Sequence, residues 1–265
     1  MLCAGRFQKW SLSALYDWQN VRMNNKEIVV VLAEKEMAFR LHFAGTEMPF
    51  LCFKRESDQM PVRAYVKADL NKVNEYAKDN RCTDSYAEYC CLMNEAGNVL
   101  LHSDRMLFHG VAMIYKGRGY VLTAPSGTGK TTQFRNLRAI YGEECRIISG
   151  DKPVIRRISE DVFRIYPSPW NGKEHWAGNE IIRLHAVVWL EQAKENMIEK
   201  PAIADMVLPC LSQIIYSAPD PVTVHEACRM TEGLLTHVPI YKFMNTGNLQ
   251  SSKILGDFLD QEAEW

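Results

Sequence analysis

The spacing of apolar residues along this chain changes several times, and each change predicts an element. Residues 28–33 form a continuous, β-branched apolar run, as expected of a buried strand. Residues 39–43, Phe-Arg-Leu-His-Phe, alternate strictly and predict a half-exposed strand. Two further short strands are expected at 51–53 and 64–66. Residues 69–78 place Leu70, Val73 and Ala77 at helical spacing. Residues 86–93 fit either period. Glu95-Ala96-Gly97-Asn98 reads as a turn leading into a strand at 99–101.

The pattern sharpens after Ser103. Apolar stretches at 111–115 and 120–124 flank Lys116-Gly117-Arg118-Gly119, so the two strands they predict are antiparallel. A parallel crossover needs a dozen or more residues. Strands are expected at 146–149, 162–166, 186–190 and 240–243. A helix at 222–238 carries Val224, Ala227, Cys228, Leu234, Leu235 and Val238 on one face, and another closes the chain at 249–258. The class is α/β or α+β, without internal repeats. It divides into a smaller β-rich region, 1–102, and a second region, 103–265.

Composition narrows the function classes. Of 265 residues, 47% are hydrophobic and 24% charged, and 31 Lys and Arg balance 32 Asp and Glu. Neither a nucleic-acid surface nor an anionic-membrane surface is expected from that balance. No apolar run approaches the roughly 18 residues that span a bilayer. The first residues, Met1 to Arg6, show no secretory signal, so a cytoplasmic location is expected. Eight scattered cysteines without a CxxC pair argue for reduced thiols, and neither HExxH nor paired Cys/His spacing suggests zinc.

The chemistry concentrates in Ala124-Pro125-Ser126-Gly127-Thr128-Gly129-Lys130-Thr131-Thr132. It fits the phosphate-loop pattern GxxxxGK[ST], with Ala124 in place of the first glycine. Gly127 and Gly129 let successive N–H groups curl around phosphate oxygens, and the helix expected from Lys130 to about 140 presents its positive end to them. Ser126, Thr128 and Thr132 belong to the same cradle. Lys130 suits the β- and γ-phosphates of ATP, and the Thr131 hydroxyl suits Mg²⁺. A dinucleotide reading fails at Thr132, where the third glycine would stand. Twenty residues on, Asp151 follows a strand, where a carboxylate can hold Mg²⁺ or take a proton from an attacking hydroxyl. His109, where the hairpin begins, is a candidate for proton transfer or phosphate binding. Lys173, in a Pro- and Gly-rich loop at 166–175, is a candidate for contacting nucleotide or substrate.

These residues carry a resemblance. Phe108-His109-Gly110-Val111, the glycine turn, Ser126-Gly127-Thr128-Gly129-Lys130-Thr131 and Asp151 resemble the core of HPr kinase/phosphorylase. The loop is also similar to that of ATP-dependent phosphoenolpyruvate carboxykinase, which shares the fold. Residues 166–174 and Val238-Pro239-Ile240-Tyr241-Lys242 look like HPr-kinase-related proteins found with peptide-modifying enzymes. The resemblance spans about 106–258 and implies a P-loop core with an antiparallel hairpin before the loop, in a kinase domain at 103–265. It implies ATP and Mg²⁺ as cofactors, His109, Lys130 and Asp151 as catalytic residues, and Thr131 and Asp151 at the metal. A homo-oligomer is also implied. The family carries two adjacent aspartates where this chain has Gly150-Asp151, and its dephosphorylation motif is not matched.

The expected function is transfer of the γ-phosphoryl group of ATP to a hydroxyl, serine of a peptide or small protein, with residues 1–102 assisting recognition. A small-metabolite kinase and a nucleotide-binding regulatory module without catalysis are the alternatives.

Overall fold

The computed structural model describes residues 22–55, 62, 64–217 and 220–262. The stretch read for a signal, Met1 to Arg6, and Cys3 with it, lies outside them. Strand β1 (Arg22–Leu32) turns through Ala33 and Glu34, both at positive φ, into antiparallel β2 (Lys35–Phe43). The expected alternation holds in β2: Phe39, Leu41 and Phe43 are buried while Arg40 is exposed. Strand β3 (Tyr65–Lys67) lies parallel to β2 and completes a three-stranded sheet. The strand expected at 51–53 is instead part of a 3₁₀ turn, Met48–Phe53, with Pro49 in its first positions.

Two helices pack on this sheet. Helix α1 (Leu70–Asn80) begins at Asp69, whose side chain accepts from Asn71 N. Helix α2 (Asp84–Leu101) begins at Thr83, which accepts from Tyr86 N. It runs straight through the turn and strand expected at 95–101. Leu92, Ala96 and Leu100 are buried every fourth residue, which is the helical period. Gly97 serves close packing rather than a turn, since a Cβ there would lie 2.0 Å from the Ile215 carbonyl oxygen.

The remaining elements build a mixed nine-stranded sheet with helices on both faces. In chain order they are β4 (Arg105–Leu107), β5 (Val111–Tyr115), β6 (Arg118–Thr123), α3 (Lys130–Tyr141), β7 (Cys145–Ser149), β8 (Val154–Arg157), β9 (Phe163–Tyr166) and β10 (Ile182–Gln192). There follow β11 (Met197–Glu199), α4 (Ile203–Leu211), α5 (Pro221–His237), β12 (Ile240–Asn245) and α6 (Leu249–Glu262). The β5–β6 hairpin is antiparallel as expected, and its turn is only Lys116-Gly117, at φ 46° and 80°. Two successive positive φ values give the twist that suits a two-residue hairpin.

Strand direction creates the functional edge. Strand β10 runs parallel to both β6 and β12, and β5 runs antiparallel to both β6 and β7. The carboxyl ends of β6, β7, β10 and β12 therefore share one edge with the start of β5. Helices α4 and α5 bury Met206, Cys210, Ala227, Met230 and Leu234 against one sheet face. Phe134 and Leu137 of α3, with Leu255 and Leu259 of α6, cover the other. A third core joins the N-terminal sheet to Leu107, Val154, Tyr166 and Trp170. Among the described residues no helix is long and apolar enough to cross a membrane.

Candidate nucleotide site

The loop after β6 turns on glycine conformation. Gly127 and Gly129 sit at φ 82° and 108°, and a Cβ on either would touch nothing within 4 Å. They are required for backbone direction, not for room. Ala124 is fully buried and is not among the positive-φ residues, so the side chain replacing the pattern's first glycine is accommodated. Gly129 is the N-cap of α3 and gives no side-chain cap, so the first-turn N–H groups remain available to an anion. The Thr128 hydroxyl donates to Pro125 O at 2.9 Å and tightens the loop. Ser126 and Thr132 are exposed, and Thr131 is half-buried.

Lys130 folds back beneath the loop. It is buried, and its Nζ donates to Ala124 O at 2.8 Å and Pro125 O at 3.1 Å. Burial pulls its ammonium down to about 8, with Asp151 opposing and Lys152 reinforcing the shift.

Asp151 and His109 meet beside it. The Asp151 carbonyl accepts from Gly110 N at 2.8 Å, which ties the end of β7 to the start of β5. Asp151 Oδ1 lies 3.4 Å from His109 Nε2, and Oδ2 lies 2.5 Å from Lys152 Nζ. The His109 ring is held below its ordinary range first by burial and then by the Lys130 charge, with Asp151 acting the other way. Its Nδ1 lies 2.9 Å from Gln213 Oε1. Thus His109 and Asp151, 42 residues apart in sequence, lie in contact, and Lys130 is close enough for its charge to act on His109 and to feel that of Asp151.

Lys152 and Gln213 were not among the sequence candidates. Lys152 had a local signal, a cation directly following the candidate carboxylate. Gln213 had none, because it reaches His109 across 104 residues. The cluster holds two lysines against one carboxylate, so its charge, added to the loop amides, favours an anion. Among the described residues no group of three or more His, Cys, Asp or Glu side chains forms a metal cage. Thr131 and Asp151 carry oxygen donors of the kind magnesium takes, the rest of its shell being phosphate and water oxygens.

Gly150, directly before Asp151, has a structural reason to lack a side chain. Its N–H donates to Trp176 O at 2.8 Å, and a Cβ would lie 2.9 Å from Asn171 O and 3.1 Å from Trp176 Cβ. The loop after β9 occupies the space a side chain would need. That loop is pinned at both ends. Gly172 packs on the Asp151 side chain, while Glu174 pairs with Arg135 at 2.7 Å and the Trp176 ring lies 5.2 Å from that of Phe134. Lys173, between them, is exposed. A cavity of about 430 Å³ opens one strand away, lined by Trp189, Glu191, Glu199, Asp205 and Lys242. Trp189 pairs in register with Thr123, the last residue before the loop.

No protein-family model matches the sequence, and no curated protein matches it. Among solved structures, the chain is similar to the HPr(Ser) kinase/phosphatase from Coxiella burnetii, with a TM-score of 0.31 and 9% identity. That likeness covers 59% of this chain and 95% of the other.

Proposed function

We propose that this protein binds ATP with Mg²⁺ at the 124–132 loop and transfers the γ-phosphoryl group to a hydroxyl, serine of a peptide or small protein. The observation that carries the reading is the meeting of a glycine-shaped, uncapped helix start and buried Lys130 with the Asp151–His109 pair. Phosphoryl transfer relies on positioning and charge neutralisation, and this arrangement supplies both. Loop amides and Lys130 hold the phosphates, and Asp151 and His109 are the two candidates for receiving the hydroxyl proton. Thr131 and Asp151 would hold Mg²⁺, which when bound offsets charge on the β- and γ-phosphates. Lys173 is assigned to the substrate or nucleotide rim, and the N-terminal region to acceptor recognition.

The test pairs calorimetry with Mg²⁺–ATP and incubation of the protein with γ-labelled ATP and a serine-containing peptide library. The reading expects nucleotide uptake and labelled peptide; a folded protein that takes up no nucleotide overturns it. One observation favours the second reading, a nucleotide-binding regulatory module. The second carboxylate is not only missing but sterically closed off by Asn171 and Trp176. Tight binding without transfer to any hydroxyl, insensitive to Asp151→Ala, would establish that alternative.

A further inference from the structure

We propose that Gln213 is a positioning residue that fixes the tautomer of His109, making Nε2 the atom that takes the acceptor's proton. The inference deepens the kinase reading and rests on it.

The argument follows one chain of hydrogen bonds. Ser212 Oγ donates to Pro209 O at 2.7 Å, so its oxygen is left to accept, and it accepts from Gln213 Nε2 at 2.9 Å. That fixes which end of the Gln213 amide faces the histidine: the oxygen, 2.9 Å from Nδ1. A carbonyl oxygen only accepts, so Nδ1 of His109 carries the proton. In the neutral ring Nε2 is then a bare lone pair.

The imidazole has little freedom to do otherwise. His109 N donates to the Gln213 carbonyl at 2.8 Å, and the His109 carbonyl accepts from Thr123 Oγ1 at 2.8 Å. Gln213 therefore grips both the backbone and the ring of His109, and its own side chain is buried.

The lone pair has a defined target. Nε2 faces Asp151 Oδ1 at 3.4 Å, two acceptors with no proton between them, while Oδ2 is held by Lys152. A hydroxyl within reach of Nε2 donates its single proton there. On transfer, the hydroxyl O–H bond breaks and its proton goes to Nε2. The hydroxyl oxygen forms the new bond to the γ-phosphorus, and the β–γ bridging bond breaks, its electron pair leaving with ADP. The chain then runs unbroken from the last turn of α4 to the reacting oxygen.

Two readouts test it. In full-length protein with ¹⁵N-labelled histidine, the His109 signal, assigned by its loss in His109→Asn, is expected to show the Nδ1–H form. Gln213→Leu, of similar size but lacking the acceptor, is expected to populate the Nε2–H form. It should lower kcat roughly 100-fold, as expected for losing a general base held in the right tautomer, with little change in KM for ATP. Gln213→Glu keeps an acceptor at the same place and should recover all but about tenfold. Ser212→Ala, which leaves the core intact, should give a smaller drop of the same kind. An Nε2–H signal in the unaltered protein overturns the proposal, as does a Gln213→Leu kcat within about twofold. Absence of phosphoryl transfer by the unaltered protein with an Nδ1–H signal overturns the kinase reading instead, and leaves the tautomer assignment standing.

Discussion

The N-terminal sheet and the nucleotide edge each bury a charged side chain, and they treat it in opposite ways. Glu88, fully buried on α2, accepts from His42 N at 2.8 Å, His42 Nδ1 at 2.7 Å and Phe43 N at 3.2 Å. Its partners complete it and tie α2 to β2. Among the described residues Lys130 is bonded only to carbonyls of its own loop, at the start of a helix that no side chain caps. Helices α1, α2 and α5 all begin with a capping Asp or Thr. Helix α4 lacks a cap but carries Asp205 in its first turn. Only α3, among these five, combines an uncapped start with a basic first residue. Burial of charge alone therefore does not mark a functional group; what marks it is whether donors beside it are left for something else.

The comparison is broken or sharpened most strongly at the two charges. Lys130→Ala is expected to lower phosphoryl transfer roughly a thousandfold or more, with the fold retained by circular dichroism. A variant with near-normal turnover would remove Lys130 from the site. Glu88→Leu should do the reverse, lowering unfolding free energy by about 3 kcal/mol through stranded donors on His42 and Phe43. Denaturant titration measures that loss, and nucleotide affinity at low temperature should hold. Equal damage to affinity would mean that the two regions are not separable. Smaller again, Thr83→Ala should cost α2 about 1 kcal/mol, whereas no such cap exists on α3 to remove.

The smallest effect is a pH dependence. Glu180 is held below the ordinary carboxylate range by the Arg146 guanidinium, and Glu34 by Tyr166 and then Arg156. A lowered folded value means that their stabilisation is present above the unfolded value of 4.5 and fades as pH falls through the folded one. Both are largely solvated, so each contributes only a few tenths of a kcal/mol. Melting temperature followed from pH 6 to 3 should flatten slightly in Glu180→Gln, and the difference should shrink in high salt.

Legibility in the sequence followed the range of the interactions. The phosphate loop was readable because strand, glycines, lysine and helix lie within a dozen residues. The hairpin was readable too, since a short turn dictates antiparallel pairing. Residues 95–101 misled because Gly97 looks like a turn until Ile215, more than a hundred residues on, supplies the neighbour that needs it small. Strands β8 and β11 are too short to show a period, and Pro209 disguised α4. The cluster around Asp151 was half legible: its histidine and carboxylate belong to local motifs, but Gln213 is delivered by tertiary folding alone.

Trp170 gives the N-terminal region a role beyond any contact with an acceptor. Its ring is buried against Phe39 and Phe50, and its indole N–H donates to Tyr89 O, while its carbonyl accepts from Lys152 N at 3.1 Å. One residue is thus a tenon seated in one region and a strut under the cation beside Asp151. Cutting the chain at 102 would leave that indole bare and the strut unanchored. Activity lost on truncation would then report mechanical support as much as recognition, and a conservative change in the socket, Phe50→Leu, is the finer instrument for telling them apart.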